Sequence, residues 1–135
     1  MSGNQNIETI KAVYDAFGRG DVGFIVDAVT DDVDWASDTS SDGAPWYGVR
    51  TGKEGVGAFF EAFGKAMDVD DFTPLTYATN ADGDVLTVVR FGVRSRETGK
   101  AAEMQLHHWF RFTNGKISYY RGTEDTAMTV ATLAS

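Results

Sequence analysis

The second half of the chain carries the strongest constraint on the fold, because four runs of alternating apolar and polar residues follow one another with short turns between them. These runs span 72–79, 85–96, 101–112 and 117–123. Successive side chains of a strand point to opposite faces of a sheet, so each run predicts a strand with one buried face. Asn114-Gly115 joins the last two runs, and both residues tolerate the positive φ of a type I′ hairpin turn. We therefore predict an antiparallel meander.

The first half predicts three helices. Apolar residues recur at three- and four-residue steps from Ile7 to Phe17, with Asn6 as the cap and Gly18 and Gly20 at the end. Asp21 caps a shorter helix that continues to Val29.

The third helix is preceded by a short strand and a long loop. The strand is predicted at 33–36, and the loop from Ser37 to Arg50 is rich in Ser, Asp and Gly. Thr51 and Glu54 form a capping box pattern, and an apolar stripe follows to Met67.

Helices that precede an antiparallel sheet predict an α+β domain with the three helices on one face of a curved sheet. The chain has 135 residues, and a chain of this length buries roughly two thirds of its unfolded surface, which suffices for one core. We expect a single domain over residues 1–135.

Charge and composition narrow the classes of function. The net charge is −8 and there is no cysteine, so we expect no binding to nucleic acid or to an anionic membrane surface, and no cysteine-held metal. The acidic residues at 31, 32, 34, 38 and 42 lack the spacing of a calcium loop, and we assign no metal. The polar first six residues lack the regions of a signal peptide, and we expect a cytoplasmic protein.

Along the predicted strand 101–112, two adjacent histidines point to opposite faces of the sheet. His108 shares its face with Leu106 and Phe110, and this apolar face must turn toward the helices. His108 is either a core histidine satisfied by one hydrogen bond or a functional imidazole whose charge is easily tuned. Trp109 lies on the opposite face, which no helix is left to cover, and we predict a homodimer through that outer face.

Aromatic residues from several elements are candidates for lining a pocket. At helical spacing such residues are more often core, but Tyr14 carries a hydroxyl that needs a partner when buried. The substrate-binding candidates are Phe17, Trp35, Trp46, Phe59, Phe91, Phe110 and Tyr120.

Several segments together resemble a known family. They are Ala12 to Phe17 with Gly20-Asp21, Asp31 to Trp35, Pro45 to Gly48, Gly55-Val56 with Phe59-Phe60, Thr98 to Lys100, His108 to Phe110, and Asn114 to Ile117 with Asp125-Thr126. In this order and spacing the chain resembles the SnoaL-like branch of the NTF2-like superfamily, over nearly its whole length. The resemblance implies a cone-shaped α+β fold, a deep pocket between helices and sheet, and frequent dimers.

The resemblance also implies catalytic positions, which carry over only in part. The aspartate base of ketosteroid isomerases falls on Ser37, beside Asp38. Their first-helix tyrosine falls on Val13, beside Tyr14, and their protonated aspartate falls on His108.

Other branches of the superfamily place their functional groups elsewhere. The last-strand acid of polyketide cyclases falls on Gly122, and the Arg-Asp pair of epoxide hydrolases falls near Val89 and Phe91, which disfavours epoxide hydrolysis. Asp125 matches an aspartate that the family has at the end of this strand, and its alternative role is to cap a helix over 126–133.

Three functions stay open. The first is a cofactor-independent isomerase, cyclase or dehydratase for a small, mostly apolar carbonyl compound, with His108, Tyr14 and Asp125 as catalytic residues. The second is a domain that binds such a metabolite without transforming it. The third is an interaction module that uses only the dimer face. Fold alone does not choose among them.

Overall fold

Three helices precede the last four strands of the chain, and a fourth helix follows them. The structure is a computed structural model, and it describes residues 3–135. The helices are α1 (Gly3–Arg19), α2 (Val22–Asp27), α3 (Gly52–Ala66) and α4 (Thr126–Leu133). The strands are β1 (Val29–Ser37), β2 (Arg50–Thr51), β3 (Met67–Thr79), β4 (Val85–Ser95), β5 (Ala101–Thr113) and β6 (Lys116–Thr123).

The strands form one curved, open sheet in the order β2-β1-β6-β5-β4-β3. β3 to β6 make the predicted antiparallel meander. β1, however, pairs with β6 in parallel, so the expectation of an antiparallel sheet was wrong for this one pair of strands. The two strands are separated by α3 and the rest of the meander, and such a long connection permits parallel pairing. Two register shifts in the β3–β4 ladder add to the bend of the sheet.

The turn between β5 and β6 confirms the strongest local prediction. Asn114 has φ 51° and Gly115 has φ 80°, which is the pair of positive angles that a type I′ turn requires.

The element boundaries differ from the sequence predictions where tertiary packing overrides local pattern. β3 begins at Met67, and β1 begins at Val29, so both residues lie in strands and not in helices. Asp31 and Asp32 belong to β1 rather than to a helix end. Thr51 precedes α3 without a side-chain cap bond, so the capping box does not form.

Asn6 has a different role from the cap that the sequence predicts. α1 begins at Gly3, and Asn6 lies inside the helix with 2% of its surface exposed. Its Nδ2 donates a hydrogen bond to the Gly83 carbonyl at 2.8 Å. The side chain therefore ties α1 to the turn before β4.

The core lies between the concave face of the sheet and helices α1, α2 and α3. Its fully buried aliphatic residues include Ile10, Ile25, Val33, Val56, Val89 and Ile117. Asp21 caps α2 by accepting from the Phe24 amide at 3.1 Å, as predicted. Within residues 3–135, no helix has the length and apolar character needed to cross a membrane.

We expect Asn6→Asp to lower the free energy of unfolding by about 1–3 kcal/mol, because a buried carboxylate would face the Gly83 carbonyl with no proton to share. Chemical denaturation at neutral pH measures this change. If Asn6 only capped α1, aspartate at this position would leave the free energy of unfolding unchanged. Asn4→Asp, at an exposed position of the same helix, is the matched control and should leave stability nearly unchanged.

Candidate functional site

A pocket opens between the helices and the concave face of the sheet. Its empty volume is about 670 Å³, counted out to the open solvent at its mouth. All seven aromatic candidates from the sequence line it, together with Tyr14 and His108. The remaining lining residues are Val13, Ile25, Ser37, Phe60, Phe63, Phe72, Leu106, Gly122, Thr123 and Glu124. The wall is therefore almost entirely apolar, with a few polar groups.

A chain of hydrogen bonds joins Thr87 on β4, Tyr14 on α1 and His108 on β5. The Tyr14 hydroxyl lies 2.7 Å from Thr87 Oγ1 and 2.7 Å from His108 Nδ1. Thr87 and His108 are direct partners in the β4–β5 ladder, so the tyrosine bridges two neighbouring strands from the helix above them. The arrangement fixes the plane of the imidazole.

His108 is uncharged in this setting. Burial, and to a lesser extent the nearby His107, lowers its pKa to about 3. Burial also raises the pKa of Tyr14, so that hydroxyl keeps its proton. At neutral pH the Thr87–Tyr14–His108 chain consists of neutral hydrogen-bonding groups.

Counting hydrogens assigns the tautomer of His108. When Thr87 donates to Tyr14 and Tyr14 donates to His108 Nδ1, each hydroxyl hydrogen has an acceptor and the proton of the ring lies on Nε2. In the reverse arrangement the Thr87 hydroxyl hydrogen has no acceptor among residues 3–135. We therefore assign the Nε2–H tautomer, in which the imidazole is a donor. No partner for Nε2 occurs within the described part of the chain.

Tyr120 supplies a second hydroxyl beside His108. Their ring centroids lie 5.2 Å apart, and Tyr120 also stacks on Trp35 at 4.1 Å. Across residues 3–135 the Tyr120 hydroxyl has no hydrogen-bond partner. It folds over Gly122, where an added Cβ would lie 2.1 Å from the hydroxyl oxygen. The missing side chain at 122 therefore makes room for the phenol.

Asp125 does not reach the pocket. Its side chain is exposed, and Oδ1 accepts from the Met128 amide at 3.0 Å at the start of α4. The structure favours the helix cap over the catalytic role expected for this residue. Asp38, the other carboxylate considered, is also exposed and does not line the pocket.

The carboxylate on the pocket wall is Glu124, which the sequence reasoning passed over for its neighbour. Glu124 Oε2 accepts from the Tyr47 hydroxyl and from Thr129 Oγ1, each at 2.8 Å. The usable signal was the alternation of side chains along β6. It puts Tyr120 and Gly122 on the pocket side, and it favours Glu124 when it is continued one residue past the end of the strand at Thr123. Among residues 3–135, no group of three His, Asp and Glu side chains is placed to hold a metal ion.

The outer face of the sheet places Trp109 where the sequence predicts it. Its ring is 39% exposed, next to Leu86 at 40%. Trp109 Nε1 donates to Asp84 Oδ2 at 3.0 Å, and the Arg111 guanidinium lies 5.7 Å from the ring centroid. The tryptophan is held in a fixed orientation on an open face.

The sequence matches the model of the SnoaL-like domain family over residues 10–120, and the chain belongs to this family. No curated protein matches the sequence. The structural neighbours have the NTF2-like fold, as the resemblance implies.

Three solved structures illustrate this similarity. An NTF2-like protein of unknown function from Burkholderia pseudomallei K96243 has 23% identity and a TM-score of 0.86, with 100% of both chains covered. TerC, co-crystallised with polyporic acid, has 22% identity and a TM-score of 0.83, with 97% of this chain and 99% of TerC covered. A Mesorhizobium loti protein named as a proposed SnoaL-like polyketide cyclase has 20% identity and a TM-score of 0.70, with 86% and 96% covered.

We expect nitrogen NMR shifts of His108 to show a neutral imidazole with the proton on Nε2 from about pH 8 down to about pH 4, because burial lowers its pKa to about 3. The His107→Gln variant assigns the second imidazole signal. An imidazolium signal at about pH 6, or a proton on Nδ1, would contradict the assignment.

The lowered pKa of His108 also predicts how acid affects the stability of the fold. The pKa of His108 is lower in the folded chain than in the unfolded chain, so its contribution is complete above about pH 6.5 and is lost as the pH falls toward about 3. The difference in free energy of unfolding between the parent and His108→Gln, measured across this range, should shrink in acid.

Proposed function

We propose that this SnoaL-like protein binds a small, mostly apolar carbonyl compound and acts on it as a cofactor-independent isomerase or cyclase, by moving a proton beside the carbonyl group. The observation that carries the proposal is the neutral imidazole of His108, whose Nδ1 is engaged by Tyr14 and whose Nε2–H is free for a ligand. A neutral donor in an apolar pocket suits a carbonyl oxygen.

The chemistry follows from where charge develops. Removal of a proton beside a carbonyl moves negative charge onto the oxygen, and donors already in position stabilise that charge most in a water-poor site. His108 Nε2–H and the Tyr120 hydroxyl are two such donors with neighbouring rings. Burial raises the pKa of Tyr120, so its hydroxyl remains a donor.

The pocket walls support a flat or ring-shaped ligand. Trp35, Phe59 and Phe60 contact one another at edge-to-face angles, and Trp46 packs in the same way on Phe63. Ring faces and edges of this kind fit aromatic or unsaturated compounds. The polyporic acid with which TerC was co-crystallised and the cyclase name of the Mesorhizobium loti protein agree with this class.

The second candidate is a protein that binds such a compound without transforming it. Gly122 and Ser37, where the resembling enzymes have carboxylates, favour it. The lowered pKa of His108 also makes this imidazole a poor base. This candidate requires only shape and a few polar anchors.

The proposal includes a homodimer through the outer sheet face. Support comes from Trp109 and Leu86, two large exposed apolar side chains that pair across neighbouring strands. Arg90 and Arg94, which the sequence places on this side, form ion pairs with Asp71 at 2.7 Å and Asp70 at 3.2 Å, and they would form a polar rim.

We expect the parent protein to speed the exchange of the hydrogens next to the carbonyl of 2-tetralone in D₂O, followed by proton NMR. His108→Ala should lower that rate about 100- to 1000-fold, since it removes the donor to the developing oxyanion. Tyr14→Phe should lower the exchange rate less, because this change only frees the His108 imidazole to turn. His107→Ala, at the exposed neighbouring position, is the control. An unchanged rate in His108→Ala would remove this assignment.

We expect sedimentation at tens of micromolar to show a dimer, and Trp109→Lys to shift it to monomer, because a charge replaces the apolar centre of the face. Leu75→Lys, at a 47% exposed position of β3, is the control for added surface charge. A monomeric parent protein would overturn the dimer.

A further inference from the structure

We propose that Glu124 is the general base of this site, and that the substrate is a flat cyclic ketone whose reacting C–H lies between the carbonyl and a second activating group. The inference rests on the proposed function and assigns the group that takes the proton.

The contacts of Glu124 leave one oxygen for a ligand. Oε2 receives two hydroxyl donors, Tyr47 from the loop before β2 and Thr129 from α4, both at 2.8 Å. Oε1 has no partner among residues 3–135. Thr129 is 2% exposed and Tyr47 is 8% exposed, so both donors are held by packing. Three separate elements therefore fix the direction of one free carboxylate oxygen.

The Glu124 carboxylate is held by neutral groups. Several acids, among them Asp15, Asp34, Asp71 and Glu61, pair with an arginine or lysine. Glu124 pairs with no cation within the described part of the chain, and its donors are neutral hydroxyls. A carboxylate with a structural role gains most from a cation, whereas a base must remain able to accept a proton.

Glu124 and His108 line the same pocket. Gly122 is the ladder partner of His108, and Glu124 follows Gly122 by two residues, just beyond the end of β6. Both side chains therefore lie on the wall that a ligand in this pocket would contact. Burial, and after it the Glu124 charge, raises the pKa of Tyr120.

The proposed step is balanced without another reactant. Glu124 Oε1 takes the proton, and the C–H bond breaks. Its electron pair becomes a carbon-carbon double bond as the carbonyl becomes an enolate, whose oxygen accepts from His108 Nε2–H and the Tyr120 hydroxyl. Return of the proton to another carbon gives the isomer and restores Glu124. Because a carboxylate is a weak base, the C–H must be acidified by a second group such as an aryl ring.

The test compares Glu124→Gln with Asp125→Asn in the exchange of 2-tetralone hydrogens. The glutamine keeps an acceptor for Tyr47 and Thr129 but cannot take a proton, so the rate should fall about 100- to 10,000-fold. Asp125→Asn removes the same charge one position away and keeps a good helix cap, so its rate should match the parent. Tryptophan fluorescence should show that both variants still bind 2-tetralone.

A further readout separates the base from a structural role. Tyr47→Phe keeps the carboxylate and loosens it, so it should lower kcat more than it changes KM.

The two proposals fail in different ways. If the parent exchanges and Glu124→Gln, folded by circular dichroism, exchanges equally fast, the base assignment is overturned alone. If the parent binds 2-tetralone without exchange, the enzymatic function is overturned and the base with it.

Discussion

The hydrogen-bond chain from Thr87 through Tyr14 to His108 is the interaction on which the site depends. It joins α1 to the neighbouring strands β4 and β5, so the position of the imidazole is set by the packing of a helix on a sheet. The cost of burying an imidazole is met by leaving it uncharged and engaging one of its nitrogens. The other nitrogen then remains free in an apolar cavity. A histidine in this state donates a hydrogen bond more readily than it accepts a proton.

Much of the fold follows from local sequence, because alternating runs and an Asn-Gly turn specify strands and a hairpin by backbone sterics alone. The errors have a common cause. Asn6 reads as a cap in isolation, but a carbonyl at Gly83, distant in sequence, makes it an interior donor. Met67 continues a helical stripe, yet it pairs with Ser95 in the β3–β4 ladder. Such contacts between distant residues cannot be read from a local pattern.

The candidate site likewise has residues that the local sequence predicts and residues that it does not. The aromatic wall and His108 could be predicted, because faces of strands and helices follow from periodicity. The choice between two adjacent acids depends on where β6 ends, because the alternation that favours Glu124 holds only while the chain stays extended. Asp125 caps α4, and the carboxylate before it lies on the pocket side and accepts from two hydroxyls. The match to a family aspartate thus points to Asp125, whereas the acid that lines the pocket is Glu124.

Gly122 has a consequence for how the site can change in evolution. The Tyr120 hydroxyl occupies the space that any side chain at 122 would need, so the phenol in its present orientation and a carboxylate at 122 exclude each other. A substitution that put an acid at 122 would therefore have to displace the phenol from its stack on Trp35. The gain of a carboxylate at 122 and the loss of this aromatic stack are thus coupled in one step.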